Sequence, residues 1–118
     1  MSIPNETLRK VFIELQNKIV EDNRKLTSVK TQIQTKEREK RLAELTKREL
    51  TTLDSDTRTY KSVGKAFIKT DLSVLMTELD TRVVKAEKDL NDLDKTKKHL
   101  ERNVNESQNA LREITSSR

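Results

Sequence analysis

Few side chains in this sequence could do chemistry. His99 is the only histidine and cysteine is absent, so no thiolate nucleophile, disulfide framework or zinc-thiolate site can form. His99 follows Lys97 by two positions and has no companion at metal-ligand spacing. Asp92 and Asp94 are a carboxylate pair of the type used in general acid–base work. That work needs surroundings that push two pKa values apart, and nothing near them encloses a pocket. A single glycine, Gly64, cannot build a phosphate-cradling loop. No catalytic, cofactor or metal residue is assigned, and the chain reads as a non-enzyme. What remains is charge and association.

Charge alone points weakly to nucleic acid. Lys and Arg number 25 against 20 Asp and Glu, a net +5, and phosphate binding leaves a basic footprint. Here the signs interleave, as in Lys36-Glu37-Arg38-Glu39-Lys40-Arg41, with no aromatic or Gly-rich platform beside them. A solvated helix face is the reading, and no specific nucleic-acid partner is assigned. Hydrophobic residues make up only 31% and charged ones 38% of the chain, where globular domains average roughly 45–50% apolar. Long helices with a narrow apolar stripe fit this balance. The opening MSIPNETLRK lacks the apolar core of a secretory signal, and no run approaches the ~18 apolar residues that span a bilayer. The expectation is a soluble cytoplasmic protein with no membrane partner, and a nuclear role stays open.

Two segments carry the stripe. Leu8, Phe12, Leu15, Ile19, Asp22, Leu26, Val29, Ile33, Lys36 and Lys40 recur at alternating spacings of four and three, a heptad seam with charged exceptions. Leu72, Met76, Leu79, Val83, Ala86, Leu90, Leu93, Lys97, Leu100, Val104, Ser107, Leu111 and Ile114 keep the same rule. As helices the arms would run roughly 50 Å and 65 Å. Pro4-Asn5-Glu6-Thr7 and Thr70-Asp71 supply start signals. Paired antiparallel, the arms can set Leu15 against Val104, Ile19 against Leu100, Leu26 against Leu93, Val29 against Leu90 and Ile33 against Ala86. In that register Asp22 faces Lys97 and Phe12 faces Ser107. Sliding by one heptad leaves Asp22 and Lys97 against apolar residues, so the two charges are read as a register pair. The alternative is that both reach water from a narrow seam.

Between the arms the grammar changes. Thr46-x-x-Glu49 has the form of a capping box opening a short helix through Leu50 and Leu53. Asp56 to Lys69 is rich in Thr, Val, Tyr, Phe and Ile and reads as a β-hairpin turning at Gly64. A lone two-stranded hairpin is marginal in water, and the chain offers no third strand. Other subunits must therefore complete it through Tyr60, Val63, Gly64, Phe67 and Ile68. A flexible connector packed on the base of the coiled coil is the competing reading. The fold class is mainly α: an antiparallel two-helix coiled coil with a short helical turn and one hairpin between the arms, as a single domain. Arm 1 covers about 6–42, the connector and hairpin about 43–70, and arm 2 about 71–115.

The order helix, capped turn, Tyr60-Lys61-Ser62-Val63-Gly64-Lys65-Ala66-Phe67-Ile68 hairpin and second helix resembles the β-type subunits of prefoldin across nearly the whole chain. Phe12-Ile13-Glu14-Leu15-Gln16 and Leu100-Glu101-Arg102 look similar to one eukaryotic subunit in particular. The resemblance implies a heterohexamer of two α-type and four β-type subunits whose hairpins join into β-barrels. It further implies ATP-independent capture of unfolded actin and tubulin chains, delivery to the cytosolic chaperonin, and no cofactor. By the same resemblance the helix ends contact clients, which here selects Leu8, Val11, Phe12, Leu111 and Ile114. A coiled-coil scaffold or tether that binds no unfolded chains is the alternative. Such a tether has no use for an edge-exposed hairpin at mid-chain.

Overall fold

The computed structural model describes residues 5–54 and 57–116. Helix α1 spans Asn5–Leu50, strand β1 Tyr60–Val63, strand β2 Ala66–Lys69 and helix α2 Leu72–Ser116. Pro4 of the first start signal and Asp56 at the edge of the hairpin lie outside the described residues. Every apolar and charged position assigned to the two seams is half-buried or buried. The 3.5-residue period therefore identified the inward face of both helices correctly.

Helix α1 runs eight residues past the expected end at 42, to Leu50, and no separate short helix opens at Thr46. Arg41 to Leu50 contains only good or tolerable helix formers. The heptad also continues, since Ala43 is buried and Lys47 and Leu50 are half-buried. Thr46 Oγ1 donates to the carbonyl of Leu42 at 2.8 Å, the bond of a mid-helix threonine and not of a cap. The true end is marked by Lys47 and Arg48 in the last turn, where cations suit the helix dipole. Thr51 and Thr52 hydroxyls then donate to the carbonyls of Arg48 and Glu49 at 2.6 and 2.7 Å. The Glu49 carbonyl also accepts from the Thr52 N–H at 3.2 Å, so these bonds together close the open end of the helix. At the other helix the Asp71 carbonyl accepts from the Leu75 N–H at 3.1 Å, the backbone position of an N-cap.

The chain divides into two compact units. One joins residues up to 33 with residues from 92 onward, and the other holds residues 34–91. In the first, Leu26, Val29 and Leu100 form a buried cluster against which Ile33 and Leu93 pack, so the two helical segments lie antiparallel. Leu26 shares that cluster with Leu100, and Phe12 lines a cavity with Ile114, each one heptad along from the expected partner. In the second unit Lys36 bridges Asp89 at 3.4 Å, Lys40 bridges Glu87 at 3.6 Å and Lys47 bridges Asp80. The unit also contains the sheet. Its strands pair antiparallel, Tyr60 with Lys69, Lys61 with Ile68, Ser62 with Phe67 and Val63 with Ala66.

Gly64 and Lys65 form the two-residue turn. Gly64 has φ +61°, and no other described residue has positive φ, the pattern of a type II′ hairpin with glycine at the first central position. The far end is closed by Thr59 and Thr70. The Thr70 N–H donates to the Thr59 carbonyl at 2.9 Å, and the buried Thr59 hydroxyl donates to the Thr70 carbonyl.

Candidate functional site

Among the described residues the sheet has two strands, with both outer edges unpaired, and the side chains along it are correspondingly open. Alternation puts Tyr60, Ser62, Phe67 and Lys69 on one face and Lys61, Val63, Ala66 and Ile68 on the other. Phe67 is 74% exposed, Tyr60 54%, Ile68 52% and Val63 49%. Phe67 and Tyr60 are diagonal neighbours across the strands, close enough for two aromatic rings to present one surface. Lys61 anchors the hairpin to α2 through Glu78, at 3.1 and 2.9 Å to its two carboxylate oxygens. The hairpin is therefore held in place while its apolar side chains stay in solvent, an arrangement that marks an interaction surface.

The second candidate site lies where the chain's ends come together. Leu8, Phe12 and Ile114, with Asn5, Arg9 and Thr115, line an open cavity of about 570 Å³. Of the remaining residues selected from sequence, Leu111 is half-buried and Val11 is exposed, and neither lines it. The expected Phe12–Ser107 pairing is not formed. Phe12 shares its pocket with Ile114, one heptad farther along, and Ser107 is buried elsewhere in the seam.

The register pair is corrected in the same way. Asp22 is buried at 7% exposure, and its nearest cation is Lys18, one turn back on its own helix, at 3.6 Å from Oδ2. That oxygen has no hydrogen bond. The pairing of Leu26 with Leu100 carries Asp22 to the level of Val104, itself buried, while half-buried Lys97 comes level with Val29. Lys18 and the long Lys97 stem let both seam charges tolerate the outcome. Lys36, poised between Asp89 and Glu39, has its pKa raised above 10.5, first by the hydrogen bond to Asp89 and then by the charge of Glu39.

Residues considered for chemistry are dispersed. His99 is exposed, with the Asn103 side-chain amide 3.3 Å from its Nε2. Asp94 pairs with Lys98 at 3.0 Å. Among the described residues no group of three or more His, Cys, Asp or Glu is placed to hold a metal ion, and no helix is long and apolar enough to cross a membrane.

Comparison with known proteins places these features in one family. Residues 13–118 match the family model described as prefoldin subunit. Prefoldin subunit 1 of Arabidopsis thaliana is 36% identical over 110 residues, covering 93% of this chain and 86% of the plant protein. Prefoldin subunit 1 of Homo sapiens is 33% identical over 111 residues, covering 94% and 91%. Among solved structures, the prefoldin beta subunit from Thermococcus strain KS-1 superposes with a TM-score of 0.75 at 24% identity, covering 93% of this chain and 92% of the archaeal one. The two-helix, one-hairpin fold is that of the archaeal subunit.

Proposed function

The chain belongs to the prefoldin subunit family and is a chaperone subunit, and on that premise we propose that it is a β-type member of a cytoplasmic heterohexamer of two α-type and four β-type subunits. The complex holds unfolded actin and tubulin chains without ATP and passes them to the cytosolic chaperonin. The observation that carries this reading is the hairpin, fixed to α2 through Lys61 and Glu78 yet leaving Tyr60, Val63, Phe67 and Ile68 in solvent. Strands from neighbouring subunits supply the missing pairing.

Capture is assigned to the pocket of Leu8, Phe12 and Ile114, because an unfolded chain offers scattered apolar side chains and this pocket offers them a wide mouth. The test is a reconstituted complex in which this subunit carries Phe12→Ala and Ile114→Ala. Aggregation of denatured actin diluted into it should be suppressed several-fold less effectively than by the unaltered complex, with the particle mass unchanged. Unchanged suppression would remove this pocket from the client site.

A further inference from the structure

The charges on the hairpin do not follow the rest of the chain. From Thr57 to Thr70 there are four cations, Arg58, Lys61, Lys65 and Lys69, and no carboxylate, whereas along both helices acids and bases interleave. Glu78 accounts for Lys61. Among the described residues no carboxylate forms an ion pair with Arg58, Lys65 or Lys69, and all three are exposed.

Hydrogen-bond alternation fixes which of these charges a neighbour would meet. Thr59 and Thr70 are joined by a backbone hydrogen bond, so the inward-bonding pairs are Thr59 with Thr70, Lys61 with Ile68 and Val63 with Ala66. The backbone groups of Phe67 and Lys69 on β2 therefore face the open edge. A strand added there runs beside Lys65, Phe67 and Lys69. If that strand came from a second copy, centred on Phe67, each Lys65 would stand opposite the other copy's Lys69. Like charges directly opposite across strands are destabilising, and lysines on an edge are a recognised guard against self-pairing.

Resting on the reading of the hairpin as a subunit interface, we propose that the β2 edge excludes a second copy of this chain and accepts a strand from a different subunit that carries carboxylates facing Lys65 and Lys69. Phe67 and Ile68 supply the apolar contact common to any neighbour, and the lysines decide which neighbour is admitted. A nucleic acid would also be drawn to these cations and to the Tyr60 and Phe67 rings. It has no use, however, for an open backbone edge or for the aliphatic face of Val63 and Ile68.

The experiment uses the full chain and a charge-reversed copy, K65E/K69E, as the probe. Fluorescently labelled wild type is titrated with unlabelled wild type and, separately, with the reversed copy, at low and high salt. Association with the reversed copy should be at least about tenfold tighter than self-association and should weaken with salt. The neutral variant K65Q/K69Q, checked for helix content by circular dichroism, should self-associate more tightly than wild type. Equal association of wild type with itself and with the reversed copy overturns the charge rule while leaving the hairpin as an interface. No association in any mixture overturns both. A single-stranded oligonucleotide bound more tightly than the reversed copy, through the same lysines, would replace the protein partner with nucleic acid.

Discussion

Replacing Asp22 by Leu separates the two registers by the sign of its effect. Asp22 is 7% exposed, its Oδ2 lacks a hydrogen bond, and its ion partner Lys18 is on the same helix at 3.6 Å. A leucine there would meet the seam around Leu26, Leu100 and Val104, replacing a poorly compensated charge with apolar contact. Swapping buried ionic groups for apolar ones of similar size stabilises by about 1–4 kcal/mol, and burying one leucine by about 1.5–3 kcal/mol. The expected gain is about 2 kcal/mol, or about 6–10 °C in Tm for a chain of this size. Thermal unfolding of the full chain followed by circular dichroism would measure it. In the register with Asp22 opposite Lys97, the same substitution strips a buried pair of one partner and costs about 3–5 kcal/mol. A fall in Tm of D22L, recovered in D22L/K97L, would refute the pairing of Leu26 with Leu100 and restore that of Asp22 with Lys97.

Gly64→Ala should destabilise the hairpin by about 1–3 kcal/mol through backbone strain alone. Gly64 sits at φ +61° with nothing within 4 Å of an added Cβ, and the loss should appear as weaker subunit association at unchanged helix content. Lys36→Gln should lower the unfolding temperature at neutral pH. The raised pKa of Lys36 in the folded chain makes its contribution complete below 10.5 and lost as pH rises through the higher folded value. The gap between wild type and K36Q should therefore close in strongly alkaline buffer, and a gap that persists there would assign the effect to packing.

The heptads named the inward face of both helices down to single residues, because burial of one stripe is enforced every 3.5 residues whatever the partner. The hairpin was equally legible: glycine is the residue that adopts φ +61° freely, and Tyr60 to Lys69 has no other place to turn. Register was not legible from a and d positions, since sliding an antiparallel pair by one heptad restores the same pattern. It shows outside those apolar positions, in the pairs of Lys36 with Asp89, Lys40 with Glu87 and Lys47 with Asp80. A signal for this existed in the unbroken spacing of Lys36, Ala43 and Leu50, but alanine is too small to stand out as a core residue. Thr46 and Glu49 read as a cap because their i, i+3 spacing is equally at home on a helix surface. Within the cavity lined by Leu8, Phe12 and Ile114 the one-heptad displacement brings Phe12 to Ile114, which the Ser107 pairing had concealed.

Whether the chain works as one subunit among several is decided by native mass spectrometry of the complex purified from cells through a tag on it. The expected particle has six subunits and contains other chains of the same family alongside this one. Recovery of the chain only as a monomer, or as a dimer with itself, would refute its place in such an assembly.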